Sequence, residues 1–194
     1  MSLYQDIASY QPFNEQEMQD KHLLLSLLKS GQELYTRNNE VCHLTASAWV
    51  CSPDRTKVLM CYHNIYNSWS WLGGHADGER DLASVALREV REESGLTQVR
   101  LVSPSIYSLE VLTVEGHEKR GAYVSSHLHL NLTYLIEADP MEPLKTKPDE
   151  NSGLAWFGLD EAVAASSEPW FAKRIYPKLN DKLAGCQGGT PSGE

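Results

Sequence analysis

The sequence lacks any long apolar segment: its leucine-rich stretch, residues 23–28, is far shorter than the ~20 residues of a membrane-spanning helix. The first ten residues, MSLYQDIASY, have neither the basic start nor the apolar core of a signal peptide. No internal repeat is visible along the chain. These absences predict a protein that works in the cytoplasm and has no membrane partner.

Cysteines are few, and none are spaced like metal ligands. The four are Cys42, Cys51, Cys61 and Cys186. The first three fall in segments that we predict to be strands. We therefore expect free, buried thiols in a reducing compartment rather than disulfides or a zinc site.

Basic residues are outnumbered, with 17 Lys and Arg against 26 Asp and Glu and a formal net charge of −9. Binding to a nucleic-acid polymer depends on Lys and Arg that neutralise phosphates, so the charge balance argues against such a partner. A small phosphorylated substrate stays open, because a bound Mg²⁺ supplies positive charge locally.

What the chain does have is an acidic helix, predicted within the segment GGHADGERDLASVALREVREESGL, residues 73–96. At about 100° per residue, Glu92 and Glu93 lie within roughly 60° of Glu89. Like charges at this spacing repel each other. A cation is therefore expected among them, and Mg²⁺ is typically held by a few carboxylates plus substrate phosphates. A solvated acidic face is the alternative.

The same helix has a separate core side and clear ends. Asp81 is a suitable N-cap, and Gly95 a suitable C′ residue with Leu96 folding back on the helix. Arg88 stands next to Glu89 and can steer its carboxylate. The apolar stripe that we expect to face the core consists of Ala83, Ala86, Leu87 and Val90.

This segment resembles the signature of the Nudix hydrolases, the MutT-like family. That signature runs Gly, five residues, Glu, seven residues, Arg-Glu, an aliphatic, any residue, Glu-Glu, any residue, Gly and an aliphatic. The positions that match in register are Gly74, Arg88, Glu89, Val90, Glu92, Glu93, Gly95 and Leu96. The predicted order of strands and helices extends the resemblance over roughly residues 41 to 165.

The resemblance implies an α/β (α+β) fold, a Nudix-type α/β/α sandwich with a mixed β-sheet and the motif helix on one face. It also implies dependence on Mg²⁺ or Mn²⁺ and hydrolysis of a nucleoside diphosphate linked to another moiety. By position, Glu89, Glu92 and Glu93 would bind the metal, and Glu89, Arg88 and Glu92 would carry the catalysis. A homodimer is a further expectation from the family.

One position departs from the signature, because Arg80 stands where the first glutamate is expected. Glu79 is one residue early and takes that role if the loop slips. Alternatively, Arg80 contacts a substrate phosphate, or the metal site is weakened. A solvent-facing loop arginine is an equally good interpretation.

Other site residues are expected outside the helix. The family often adds a distal acidic residue, for which Glu150 is our choice ahead of Glu115 and Glu118. Gly73 and Gly74, predicted in a loop, would let phosphate and metal approach because no Cβ intrudes. Arg120, together with Lys119, is placed to reach a diphosphate.

Aromatic and histidine side chains complete the set. Of Tyr66, Trp69 and Trp71, we expect Trp69 to stack on a base and at least two of the three to serve packing. His127 and His129 alternate on a predicted strand and so face the same way. Such a pair binds a metal or, more commonly, is hydrogen-bonded within the fold.

With 194 residues, the chain is long enough for one domain with an extension. We expect an N-terminal helical extension over residues 1–40, with a helix that Asn14 caps and Gly31 ends. Residues 41–184 would form the Nudix domain, and residues 185–194 have the composition of a disordered tail.

Alternation and turn residues predict the remaining elements. We expect strands over residues 41–51, 57–63, 99–114, 122–138 and 154–157, with a charged loop at 115–121. We expect helices over residues 159–165 and 168–183, the second kinked near Pro177.

Two other functions remain open. Arg80 gives weight to a non-catalytic Nudix domain that senses a nucleotide. The stretch from His43 to Ser47 also resembles the opening strand of isopentenyl-diphosphate isomerases, which bind metal through His and Glu and use a cysteine in the glycine region. Residues 68–75 contain no cysteine, which favours hydrolysis. The sequence leaves the identity of the nucleoside diphosphate derivative open.

Overall fold

The structure is a computed structural model that describes residues 2–119 and 121–185. The chain divides into two compact units. The first contains Met1–Ala48, Gly73–Glu89 and Leu101–Leu135, and the second contains Trp49–Leu72, Val90–Arg100 and Ile136–Glu194. Each unit is described by itself below.

The described residues form helices and strands in mixed order, which confirms the predicted mixed α/β class. The helices are α1 (Leu3–Ser9), α2 (Glu15–Lys29), α3 (Leu82–Ser94), α4 (Leu159–Ala165) and α5 (Tyr176–Gly185). The strands are β1 (Cys42–Cys51), β2 (Lys57–His63), β3 (Ser68–Ser70), β4 (Leu72–His75), β5 (Val99–Leu101), β6 (Ser108–Val114), β7 (His117–Lys119), β8 (Ala122–Val124), β9 (His127–Ala138) and β10 (Asn151–Gly158).

In the first unit, β1 is hydrogen-bonded to both β4 and β9. Strand β6 pairs with β9 in antiparallel register, from Ser108 opposite Thr133 to Val114 opposite His127. All ten residues of β1 are buried, as its mostly apolar sequence predicts. These strands place His43, Gly74 and the start of α3 within one unit.

The N-terminal helices pack within the first unit. Asn14 caps α2 as predicted, since its side chain accepts a hydrogen bond from the Glu17 N–H. The helix ends at Lys29, and Gly31 follows with φ +74°, in the left-handed conformation that favours glycine. Helix α1 was not predicted, although Ser2 and Gln5 form a capping box at its start.

In the second unit, β2 pairs antiparallel with three other strands. Its partners are β1, with Val50 opposite Leu59; β10, with Gly158 opposite Lys57; and β3, with Cys61 opposite Ser70. Strand β5 pairs with β9. The rings of Trp49 and Tyr176 stack with centroids 5.3 Å apart and are fully buried, and they anchor the core of this unit.

Three predicted elements were wrong in detail. Residues 99–114 form two strands, because Ser103 and Pro104 interrupt the alternation between β5 and β6. Residues 122–138 also form two strands, β8 and β9. The predicted charged loop contains β7, which pairs with β8 into a hairpin, with Gly121 at φ +79° in its turn.

The last helical segment is irregular where a kink was predicted. A π-helical turn, Phe171–Ile175, leads directly into α5, and the Tyr176 N–H donates to the Phe171 carbonyl. Pro177 has no N–H and cannot make the regular bond to the residue four positions back. The missing bond gives a physical reason for the wider turn just before it.

The described cysteines agree with the prediction, since Cys42, Cys51 and Cys61 are free and buried. Cys186 lies outside the described residues, as does nearly all of the predicted tail. Among the helices that the structure describes, none has the length and apolar character to cross a bilayer.

Candidate active site

Helix α3 begins and ends at the predicted residues. At its start, the Asp81 carboxylate accepts hydrogen bonds from the Ser84 N–H at 3.2 Å and the Ser84 hydroxyl at 2.8 Å. At its end, Gly95 has φ +73°, and its N–H donates to the Arg91 carbonyl at 2.9 Å. The Leu96 N–H turns to the Ser94 hydroxyl instead of a helix carbonyl. Both ends are therefore fixed by local hydrogen bonds.

The buried side of α3 differs from the predicted stripe. Leu82 and Val85 are buried, whereas Ala83 and Leu87 are half-buried. The residues that the prediction and the structure share on this side are Ala86 and Val90. The stripe is rotated toward Val85 because Leu82, the first residue of the helix, also packs inward.

The three glutamates of α3 have different surroundings. Glu89 belongs to the first unit and its side chain is 13% exposed, while Glu92 and Glu93 belong to the second. The Glu92 side chain is 46% exposed, but Glu93 is buried. The helix therefore carries one solvated carboxylate and two that are largely shielded from water.

Within the first unit, Glu89 lies against Gly74. A Cβ built on residue 74 would contact the Glu89 carboxylate carbon and lie 2.7 and 2.8 Å from its two oxygens. The Arg88 guanidinium donates to Oε1 of Glu89 at 2.9 Å, which is the contact expected from the sequence. The Glu89 carboxylate therefore lies between the Arg88 guanidinium and β4, where Gly74 has no side chain.

The prediction that Gly73 and Gly74 lie in a loop is wrong, because both residues lie in β4. A Cβ on residue 73 would come within 2.6 Å of the Ala46 carbonyl oxygen and 2.7 Å of the Ser47 Cα. Real Cβ atoms do not approach backbone this closely. The fold itself therefore requires Gly73, whereas Gly74 makes room for the carboxylate of Glu89. A role of either glycine in substrate binding stays a prediction.

Within the second unit, Lys147 joins two of the predicted metal ligands. Its Nζ lies 3.0 Å from Oε2 of Glu150 and 3.4 Å from Oε2 of Glu92. Partial burial lowers the pKa of Lys147, but the hydrogen bonds and charges of both carboxylates outweigh it and leave the pKa raised. The structure thus brings the distal Glu150 and the helix Glu92 to one cation. The sequence analysis did not predict a role for Lys147. The one sequence feature that could have suggested it is the position of Lys147 in a long loop.

Glu93 lies deeper in the same unit. The Asn151 side-chain amide donates to the backbone carbonyl of Glu93 at 3.0 Å. This hydrogen bond connects the start of β10 to α3. Burial raises the pKa of the nearby Cys61 thiol, and the negative charges of Glu93 and Glu150 raise it further. The thiol is therefore protonated at neutral pH.

The loop before α3 uses Arg80 and Glu79 for local contacts. The Arg80 guanidinium lies 4.6 Å from the centre of the Tyr35 ring, within reach of a cation–π contact. Oε1 of Glu79 accepts the N–H groups of Arg80 at 2.7 Å and Asp81 at 3.0 Å, and these bonds lower the pKa of the Glu79 carboxyl. Arg80 is exposed, which agrees with the interpretation as a loop arginine.

Two of the three aromatic residues near β4 are packed against other rings. Trp69 makes edge contacts with Tyr62 at 5.5 Å and Phe157 at 4.9 Å between centroids. Trp71 is 9% exposed, and its ring makes edge contacts with Phe171 at 5.6 Å and Tyr176 at 5.9 Å. These contacts confirm packing roles for two rings. A base-stacking role for Trp69 stays a prediction.

The remaining predicted residues are Glu115, Glu118, Lys119 and Arg120. Glu115 and Glu118 are both exposed. Arg120, predicted to contact substrate, lies outside the described residues, and Lys119 is the last residue of β7. The roles given to these four side chains therefore stay predictions.

Histidines converge in the first unit. His127 and His129 face the same way, as predicted, with their Nε2 atoms 3.2 Å apart. Burial, together with the charges of the neighbouring imidazoles, lowers the pKa of His129 to about 2. Burial likewise lowers the pKa of His43. The sequence analysis predicted the pairing of His127 with His129. It did not predict that His43 and His75 lie beside that pair.

Residues 42–179 match a family model described as NUDIX domain. A C. elegans Ap4A hydrolase in a binary complex has a similar structure, with TM-score 0.53 and 18% identity over 73% of this chain and 98% of that one. E. coli dihydroneopterin triphosphate pyrophosphohydrolase has TM-score 0.51 and 14% identity over 75% and 97%. A Nudix hydrolase from M. Smegmatis has TM-score 0.50 and 15% identity over 78% and 89%. Such low identities show a shared fold alone. No curated protein sequence matches the chain significantly.

Proposed function

Because the chain belongs to the NUDIX domain family, we propose that it hydrolyses a phosphoanhydride bond in a nucleoside diphosphate linked to another moiety, with Mg²⁺ or Mn²⁺ as cofactor. The expectation of an enzyme of the Nudix hydrolase type is confirmed by the family match and the shared fold. The substrate and the metal are the parts that we propose.

The glutamate helix carries this proposal. Glu89, Glu92 and Glu93 stand on α3 in the register of the family signature, and both ends of that helix are fixed by hydrogen bonds. Their oxygens are the donors that Mg²⁺ and Mn²⁺ prefer. When bound, the metal would neutralise charge on the phosphoryl oxygens and acidify a water molecule.

Each side chain has a proposed role that follows from its contacts. Arg88 donates to Glu89 and so orients its carboxylate, which would bind the metal or take a proton from the attacking water. Glu92 and Glu93 would complete the ligand set. Glu150 would join them as the distal acid, since Lys147 already brings it to Glu92.

Lys147 supplies the second argument for a cation near these carboxylates. The ammonium of Lys147 lies between two carboxylates, whose negative charges together attract a cation to this point. A divalent ion placed there would compete with the ammonium for the same oxygens. Lys147 would then turn to the solvent or to a phosphate of the substrate.

The test is release of phosphate or mononucleotide from a panel of substrates, with and without Mg²⁺ or Mn²⁺. The panel should hold nucleotide sugars, ADP-ribose, oxidised nucleoside triphosphates and coenzyme derivatives. It should also include the two compounds named for the structural neighbours, Ap4A and dihydroneopterin triphosphate. We expect metal-dependent turnover of at least one compound, and the best kcat/KM would define the substrate class.

Glu92→Gln and Glu93→Gln are the decisive variants, with Glu15→Gln on the exposed first turn of α2 as the matched control. We expect each of the first two to lower kcat by roughly 100-fold or more without unfolding the protein. Unchanged turnover in both would disprove the assignment. If the folded protein binds nucleotide but hydrolyses no compound of the panel, the alternative of a non-catalytic domain that senses a nucleotide would be favoured.

A cytoplasmic location, a homodimer and the absence of a nucleic-acid partner belong to the same proposal. They rest on the charge balance and the family resemblance. Sedimentation of the purified chain would test the homodimer directly.

A further inference from the structure

We propose that His43, His75 and His129 form a second metal site, which binds a transition-metal ion such as Zn²⁺ rather than Mg²⁺. All three belong to the first unit. This inference does not depend on hydrolysis, because it concerns imidazole donors and not the glutamates of α3.

Three hydrogen-bonded strands bring these histidines together. His43 lies near the start of β1, His75 ends β4 and His129 is near the start of β9, and both β4 and β9 pair with β1. Each residue offers one ligand atom, and the three atoms all lie within 4.8 Å of one another. Tetrahedral ligands at about 2.1 Å from an ion are roughly 3.4 Å apart, so binding would draw the rings inward.

His43 gives the strongest sign that a ligand belongs here. Its ring is 4% exposed, and its Nδ1 lies 3.0 Å from the Asn39 carbonyl, to which it donates. Among residues 2–119 and 121–185, no group forms a hydrogen bond with its buried Nε2. A buried, unpaired polar atom is costly. An imidazole held by a carbonyl at one nitrogen, with a free lone pair at the other, is the usual form of a metal-bound histidine.

His127 extends the cluster. Its ring stacks on His43 at 4.9 Å, and its Nδ1 lies 2.8 Å from the Ser125 carbonyl. A ring that donates through Nδ1 accepts at Nε2, so the Nε2–H of His129 donates to His127 at 3.2 Å. A cation that replaced the shared proton would find a lone pair on both nitrogens, so His127 is the nearest candidate for a fourth ligand.

The donor set selects the ion. Imidazole nitrogens suit Zn²⁺, Cu²⁺ and Ni²⁺, whereas Mg²⁺ binds oxygen. The nearby carboxylate of Asp77 is engaged by Arg37, with N–O distances of 2.6 and 2.8 Å. The site is therefore built from nitrogen donors, and an ion bound there would link β1, β4 and β9.

The test uses the full chain after removal of metals with a chelator. We expect one Co²⁺ per chain, with visible absorption bands typical of nitrogen ligands, and displacement of that Co²⁺ by Zn²⁺ but not by excess Mg²⁺. Zn²⁺ should also raise the unfolding temperature, since an ion that binds only the folded state stabilises it. No binding of either ion would overturn the proposal.

His75→Gln and His129→Gln identify the ligands, and His22→Gln is the matched control, because His22 is exposed on α2. His75 is half-buried at a strand end, so its variant is expected to fold even if a variant of buried His43 does not. Loss of a ligand should weaken Zn²⁺ binding by more than about 100-fold, which is the upper end for losing a residue outside the coordination shell. Unchanged binding in both variants would overturn the assignment.

A double variant, Glu92→Gln with Glu93→Gln, separates this site from the proposed active site. It should lose hydrolysis and keep the Co²⁺ bands and the Zn²⁺ affinity. If the glutamate variant loses Zn²⁺ and the histidine variants keep it, the ion belongs to α3 and this proposal fails. If hydrolysis is never found but the histidine variants lose Zn²⁺, only the proposed function fails.

Discussion

The carboxylate of Glu89 lies where the side chain of residue 74 would begin, because that residue is glycine. The two positions are fixed parts of the family signature. In this structure the glycine makes room for the protein's own carboxylate, which Arg88 holds from another side. A glycine that the sequence analysis assigned to ligand approach thus makes room for one of the proposed catalytic carboxylates.

Gly74→Ala should move Glu89 and lower kcat by about 10-fold or more. The new Cβ would lie under 3 Å from both carboxylate oxygens, so the side chain must leave its contact with Arg88. Because the end of the Glu89 side chain can move aside, the loss of stability should lie at the low end of overpacking costs, about 1 kcal/mol. Steady-state kinetics and thermal unfolding measure both effects.

Gly185→Ala is the control for that change. In the described part of the chain, nothing apart from its own helix backbone lies within 4 Å of a Cβ at residue 185, and its φ is not positive. It should leave kcat and unfolding temperature unaltered. Wild-type kcat in Gly74→Ala would show that the position of Glu89 does not limit turnover.

Lys147→Met should lower the Mg²⁺ concentration for half-maximal rate by about 2- to 5-fold. The ammonium competes with a divalent ion for Glu92 and Glu150, and exposed ion pairs contribute at most about 1 kcal/mol. Lys145→Met, in the same loop, should have a smaller effect. A higher Mg²⁺ requirement in Lys147→Met would mean that the lysine supports the site instead of competing for it.

Glu17→Ala should destabilise the protein by about 2–4 kcal/mol. The fully buried carboxylate accepts hydrogen bonds from the Tyr10 hydroxyl at 2.6 Å, the Phe13 N–H at 2.7 Å and the Ser108 hydroxyl at 2.7 Å. Its removal leaves buried donors unsatisfied and loosens α2 from β6. Urea unfolding measures the change.

Glu15→Ala, on the exposed turn of the same helix, should cost under about 1 kcal/mol. Equal losses in the two variants would show that the helix itself, and not the buried carboxylate, sets the effect.

Glu168→Gln should make the protein more stable at pH 8 and leave it unchanged near pH 4. Burial raises the pKa of the Glu168 carboxyl to about 7. The folded state then holds its proton more tightly than the unfolded state, so stability is lost as pH rises from about 4.5 to 7. After allowance for partial exposure, the gain at pH 8 is roughly 1 kcal/mol.

Chemical unfolding at pH 4.5, 7 and 8 would measure this dependence, with Glu15→Gln as the exposed control. Parallel pH profiles for the wild type and Glu168→Gln would show that the Glu168 carboxyl ionises normally.

The sequence by itself determined the features that local interactions control. Helix α3 begins after Asp81 and ends before Gly95 because both ends are closed by hydrogen bonds to residues within four positions. Strand β2 and helix α4 occupy the predicted residues, and the family followed from the spacing of the glutamates on that one helix. Residue spacing and turn-forming residues depend only on neighbours in the sequence, so they can be recognised without knowledge of the fold.

Only the tertiary structure decided which distant residues meet. His75 and His129 reach His43 because β4 and β9 both pair with β1, and Lys147 reaches Glu92 from a loop with no regular pattern. Position 73 had to be glycine because the backbone of β1 leaves no room for a Cβ. Strand pairing and close packing join residues far apart in sequence, and no periodicity in the chain records those partners.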